Sequence, residues 1–480
     1  MGITRIRPRI IALAALFATV ACTAVLSIAK DDDTPAPPVP PADGRGGQVT
    51  DVTTWDGKLA TVHEWGTFTS LQGSDGSTLD GLRHEERDLP AFVYDIRDKH
   101  GVTGIAPKME TPVIYFYSPT AARAEVSVKF PHGAITQWYP AASRVNHVPL
   151  DNMGVPTATD GHTIRDLRDG FIEWGTREQS STELLVMGRD ESPALPVVGS
   201  DDPWRFSRMV DANTVRVCNL NAWRTRNGSG HERNAAVQKE YERFLFYRGL
   251  GNFPLPLRGR VTSESVTAQD EYRASMSLSN VRPDEPLRAV FVIRVIGGKA
   301  GFHYVGNLKD ATGQLDVRFT LRPLAESTGQ LVEKLAACLT ETGLFHKEAL
   351  AMARTWQHGY FREDGLRVLY VLPDAFMDRE LPLAVTLRSL DFGRALPLRM
   401  VRTFVGRTEL LSPEQEAELM DTVTKLATGD ANERLVAGKT IDRWGRFAIP
   451  YLHRAKALAE DRGEVVAEID RLLAAHDLKR

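Results

Sequence analysis

TPVIYFYSP at residues 111 to 119 and AEVSVKF at 124 to 130 decide the fold class. Both are short, rich in β-branched and aromatic side chains, and bounded by proline and small polar residues, and the second alternates apolar with polar positions. The same texture recurs outward from them in ELLVMGR (183 to 189), RAVFVIRVIGG (288 to 298) and LDVRFTL (315 to 321). No long amphipathic helix separates these runs, so a parallel sheet built from strand–helix–strand units is not expected. The pattern predicts a mainly β fold with α: an antiparallel β-sandwich-like body over residues 51 to 411.

The period changes at residues 326 to 360. Leu331, Leu335, Cys338 and Leu339 share one helical face that Gly343 ends, and Phe345, Ala349, Met352 and Trp356 share another. Strands resume with LRVLYVLP (366 to 373), LPLAVTL (381 to 387) and RMVRTFVG (399 to 406), so the helical pair reads as an insertion covering a sheet. Residues 412 to 480 read as a small all-α C-terminal unit. Ser412-Pro413-Glu414-Gln415 is a capping box with proline at the first helical position, Asp430 and Glu433 form a second capping pair, and Pro450 interrupts before a further apolar face. Such short helices cannot bury their faces alone and should dock on the β body or on an envelope glycan or protein partner.

The N-terminus carries an export signal. Arg5, Arg7 and Arg9 precede twenty uncharged residues, 10 to 29 (IIALAALFATVACTAVLSIA), and Asp31, Asp32 and Asp33 follow. Twenty helical residues match the thickness of a bilayer core, and basic before acidic flanks set an N-in, C-out orientation. Three fates stay open: a retained signal anchor, cleavage after Ala29 at Ser27-Ile28-Ala29, or lipidation at Cys22. Each puts the body in the periplasm or outside the cell. Residues 30 to 50 are a proline-rich spacer. Of the three cysteines, Cys218 and Cys338 remain for the body; they pair in an oxidising compartment or stay as buried free thiols, the latter being what the apolar stripe around Cys338 suggests.

Basic and acidic residues nearly balance, 59 against 62, and no Lys/Arg run follows the N-terminus, which argues against a nucleic-acid partner. HExxH, GxSxG, a Walker loop, GxGxxG and CxxC are all missing. The densest polar cluster is VHEWGTFTSLQGSDGSTLDGLRHEERDLPAF, residues 62 to 92, with Lys108-Met109-Glu110-Thr111 a little beyond it. Histidine with carboxylate is the ligand chemistry of a divalent metal. The candidate ligands are His63, His84, Glu86 and Glu110, with Glu64 as catalytic acid or base. Against this, neighbouring His63 and Glu64 point to opposite faces of a strand, HEER reads as a solvated turn, and Asp75 and Asp80 as turn formers. Glu64-Trp65-Gly66-Thr67 recurs as Glu173-Trp174-Gly175-Thr176, either a carboxylate pair across duplicated units or a chance match in which each Trp packs on its sheet. Trp138-Tyr139, Trp204 and Trp223 are candidates for stacking on sugar rings or for ordinary core packing.

The segments VHEWGTFTSLQGSDG, KMETPVIYFYSP, ITQWYP and GLRVLYVLPDAF resemble those of a group of uncharacterised exported bacterial proteins sharing HEWGTF-like and METPVIYFY-like stretches, over most of residues 60 to 410. The resemblance implies one intact exported body and brings no activity with it. Two function classes follow: a metal-assisted extracytoplasmic hydrolase using the His/carboxylate cluster, or a non-catalytic cell-envelope protein that binds glycan or protein.

Overall fold

The computed structural model describes residues 54–80, 89–96, 105–146, 167–175, 182–219 and 238–477. The chain is mainly β with α, and its layers follow from where the apolar residues alternate. A central sheet runs in the order Arg322–Pro323, Lys299–Leu308, Leu287–Ile296, Gly365–Val371, Leu398–Leu410, Ala60–Gln72, Lys108–Tyr117, Leu245–Gly251, Gly133–Tyr139, Tyr94–Asp95. Among the described strands its pairings are antiparallel except one. Ala60–Gln72 and Leu398–Leu410, the first and last long strands of the body, lie parallel in the middle of the sheet, with Ala60 opposite Leu398 and Gln72 opposite Leu410. The whole intervening body serves as the crossover that a parallel pair requires.

The central sheet is covered on both faces. One face packs Val62, Phe68, Ile114, Phe116, Tyr247 and Phe404 against a second sheet, represented by Val126, Val128, Ile172 and Trp174, and a third, represented by Tyr272, Met276 and Val317. The other packs Trp65, Val113, Tyr115, Phe246 and Phe291 under the helices Leu324–Glu341, His346–Thr355 and Gln357–Phe361. These helices are the expected cover, and Leu331, Leu335, Cys338 and Leu339 form its buried face. Every residue of Ala60–Gln72 is buried, because this strand has core on both sides.

The C-terminal helices Pro413–Thr428, Ala431–Trp444, Ala448–Leu458 and Gly463–Asp477 begin where their caps predict. The Ser412 hydroxyl accepts from Gln415 N at 3.3 Å while the Gln415 side-chain Oε1 accepts from Ser412 N at 3.0 Å, and Asp430 with Glu433 repeats the arrangement. They dock on the body: Leu71, Leu79 and Leu411 join Leu419, Val423, Ile441, Leu452 and Ile469 in one cluster. Glu416 ties the joint, accepting from Ser74 N at 2.8 Å and from the Tyr451 hydroxyl at 2.8 Å.

Cys218 and Cys338 are both free and buried. Cys338 lies on the buried face of the helix Leu324–Glu341, and Cys218 sits in the second sheet. Among the described residues no helix is long and apolar enough to cross a membrane; residues 10–29 lie outside them.

Candidate functional site

The polar residues that mark residues 62 to 72 in the sequence are spent inside the fold. His63 Nδ1 bonds Glu348 Oε2 at 2.5 Å beneath the helical cover, with the Phe345 ring 4.4 Å away. Glu64, on the opposite face, accepts from Arg402 Nε at 2.7 Å and from the Tyr247 hydroxyl. Thr67 bonds Tyr360, and Gln72 bridges Leu257 O and Gly259 N, both at 2.8 Å. Each bond offsets the desolvation of a buried polar group.

The proposed metal ligands are therefore not assembled among the described residues. Glu110 lies opposite Thr67, four residues along the strand from His63, or roughly 13 Å at the rise of a β-strand. His84 and Glu86 lie outside the described residues. Among the described residues, no three His, Cys, Asp or Glu side chains converge as a metal site. Asp75 is a turn former: its carboxylate accepts from Ser77 N at 2.8 Å, and the Ser77 contacts hold its pKa below the usual carboxylate value. Asp80 lies within the described residues at the end of that segment and is exposed.

The repeated Glu-Trp-Gly does not make a carboxylate pair. Glu173 meets Arg144 at 3.2 Å on the outer face of the second sheet, whereas Glu64 is buried on the central one. Trp65 and Trp174 are both fully buried, each packed on its own sheet. Gly66 is required by close approach: a Cβ there would stand 2.7 Å from the Phe404 ring and 3.0 Å from Pro112 Cα. Trp138 is buried, stacked on Tyr94, and Trp223 is outside the described residues.

Glu110 has a different setting, and its neighbours build the candidate site. The strand Lys108–Tyr117 carries a bulge between the pairs Trp65/Val113 and Thr67/Glu110, where Thr111 and Pro112 together oppose Gly66 of Ala60–Gln72. Thr111 occupies that bulge at φ 47°, a conformation costing a β-branched residue of order 1–3 kcal/mol. The adjoining strand Leu245–Gly251 shifts register between Phe246 and Gly249, at the level of Arg248. The Arg248 guanidinium then donates to Thr111 Oγ1 at 2.9 Å. Lys108 Nζ lies 3.3 Å from Glu110 Oε1, with both side chains buried.

These groups floor a cleft whose other wall is Trp204 and Ser207 of the short helix Trp204–Ser207 together with Thr355, Trp356, His358 and Gly359. It encloses about 60 Å³, room for a few waters or one small polar group. Trp204 is held as a wall from behind: its Nε1–H donates to Glu242 Oε2 at 2.9 Å, and Glu242 is held in turn by Arg208 Nη2 at 2.6 Å. Among the described residues, Trp356 Nε1 and His358 Nδ1 are buried with no hydrogen-bond partner. Each such group costs about 1–3 kcal/mol, which a ligand can recover.

The sequence singles out Glu110 as a metal ligand and Trp204 as a candidate for stacking on sugar rings, in separate roles, and does not single out Arg248, Trp356 or His358 as members of a site. Arg248 was visible as a lone charge in the apolar run FLFYRGLG, a position where burial demands a partner.

No protein-family model matches the chain, and no curated protein matches it. Similar solved structures include the Fcho1 Mu homology domain of Danio rerio with bound Eps15 peptide, at 10% identity and TM-score 0.26, covering 74% of this chain and 96% of that one. The yeast delta-COP-I mu-homology domain complexed with a Dsl1 WxWxV peptide aligns at 8% identity and TM-score 0.26, covering 74% and 98%. At those TM-scores the likeness carries no argument about function.

Proposed function

We propose that this chain is an exported, membrane-tethered envelope protein that binds a small ligand, or the terminal group of a glycan, in the cleft between the bulged strands and the helical cover. The observation that supports the reading is the convergence of a bulge residue at positive φ, three buried charged side chains and two buried, unpartnered ring nitrogens on one enclosed space. Strained backbone and under-satisfied polar groups are costs that a fold keeps where a site needs them. Aromatic walls with a few polar groups are the usual make-up of a small-ligand site. The enclosed volume favours an end group over a protein surface. The tether rests on residues 10 to 29, which hold the body on the far side of the membrane.

The test is a thermal-shift panel of small acids, amines, amino acids and sugars on the wild-type chain and on Thr355→Met, whose longer side chain fills the cleft. A set of compounds that raises the Tm of the wild type and leaves Thr355→Met unchanged supports the reading. Equal shifts in both proteins, or none across the panel, would refute it.

A further inference from the structure

We propose that the turn at Ser389–Arg394 is a membrane-contact site, which seats its apolar side chains in the headgroup region of the bilayer that anchors the chain. This rests on the reading of residues 10 to 29 as a tether. The turn joins the strands Leu383–Ser389 and Leu398–Leu410, and it presents Leu390 and Phe392, 46% and 79% exposed. Single exposed apolar residues are ordinary on a protein surface. These two are held out by a built turn. Ser389 N donates to Arg394 O at 2.9 Å, Gly393 N to Ser389 O at 3.1 Å, and Arg394 N to the Ser389 hydroxyl at 3.2 Å. Gly393 closes it at φ 63°, a conformation that favours glycine. The Arg394 guanidinium stands over the Phe392 ring, 5.4 Å from its centroid.

Strand register places this turn at the tether's end of the body. Ser389 pairs with Ala122, Leu398 with Ala60, and Tyr117, which ends the strand before Ala122, with Thr61. The chain from residues 10 to 50 enters at Ala60, so the tether keeps this end at high effective concentration near the bilayer. Leu59 and Met400, beside that entry, are exposed as well, at 42% and 38%. The C-terminal helices dock at the opposite end, on Leu71 and Leu411. Charge also fits a lipid surface. Between residues 388 and 400, Arg388, Arg394 and Arg399 stand against Asp391 alone. Arg388 lies 3.9 Å from Glu125, while Arg394 and Arg399 are exposed. Asp190, Glu191, Asp201 and Asp202 belong to a loop whose Val198 packs with the helical cover, whereas Leu396 and Leu398 beside the turn pack on the other face of the central sheet. Leucine and aromatic side chains beside arginine are the make-up of an interfacial anchor. The apolar groups enter the headgroup boundary, and the guanidinium groups meet anionic lipid. Two such side chains hold a free protein weakly, but a tethered one is already at the surface.

The experiment uses the full chain reconstituted in vesicles of phosphatidylcholine with phosphatidylglycerol. A nitroxide is attached to Phe392→Cys, to Leu390→Cys and, as a reference on the C-terminal helices, to Val436→Cys, whose position is 64% exposed. The wild-type chain treated alike is the blank for the native thiols. Collisional relaxation by oxygen and by a nickel chelate should read lipid at 390 and 392 and water at 436. The lipid signal should fall in phosphatidylcholine alone and in Arg394→Glu with Arg399→Glu; a signal indifferent to both would strike the arginines from the site. Water at 390 and 392 in a chain that floats with the vesicles overturns the inference and leaves the tether standing. A chain that does not float removes the tether and the inference with it. Lipid at all three positions, or labels at the turn shielded from both reagents by a second copy of the chain, also overturns it.

Discussion

His63 shows how far a residue's chemistry is legible before its partner is known. In ATVHEWGTFTSLQ the histidine beside a glutamate looks like the edge of a metal or acid–base site. Its actual partner, Glu348, lies 285 residues away, and that of Glu64, Arg402, lies 338 away. No local window contains either. The sequence does show that neighbouring strand residues face apart, and that separation holds: His63 points under the helices, Glu64 toward the second sheet. His63→Ala would leave Glu348 buried without its partner and should cost about 3 kcal/mol, read by denaturant unfolding. Elemental analysis of wild type and variant should give the same metal content. A stoichiometric metal lost with His63 would contradict this account. The cysteines give a second residue-scale expectation. Burial pushes both thiols above their usual pKa, so little thiolate forms at neutral pH. Both should react slowly with a thiol reagent in the native protein and completely after unfolding; one fast native thiol would be the contrary result.

Local signals gave the elements well where their causes are local. The caps at Ser412 and Asp430 start helices as read, and the apolar stripe through Leu331 to Leu339 becomes the underside of the cover. What the sequence did not reveal depends on distant pairing. The parallel match of Ala60–Gln72 with Leu398–Leu410 joins the two ends of the body. The bulge at Thr111 appears only when Lys108–Tyr117 is set against its neighbour. The short helix Trp204–Ser207 has too few residues to show a period. The joint between the helical unit and the body makes a test at this scale. Glu416→Ala removes the acceptor shared by Ser74 N and the Tyr451 hydroxyl. It should lower stability by about 1–3 kcal/mol and speed hydrogen exchange in residues 413 to 477, leaving the central strands protected. Equal loss of protection everywhere would show that the helices and sheet unfold as one.

For the molecule as a whole, the sheet with cover on both faces explains why so polar a strand is silent and where a site remains. Most of the central sheet is sealed, and the cleft opens where two strands lose register and the helices leave room beside Glu110 and Arg248. The sequence alone placed Glu110 and Trp204 among its candidates but could not join them, because the second wall combines the short helix at Trp204 with cover helices more than two hundred residues downstream of Glu110. The export reading has its own test: alkaline phosphatase fused after residue 50 should be active and β-galactosidase at the same point inactive, and the reverse pattern would place the body in the cytoplasm. The central claim, that the cleft is a ligand site, is tested most directly by a crystal structure of the protein soaked with the compound of the thermal panel that raises its Tm most. The account predicts that compound seated in the cleft with a polar atom within hydrogen-bond distance of Trp356 Nε1 or His358 Nδ1. An unoccupied cleft at saturating ligand, or the compound bound at some other surface, would contradict it.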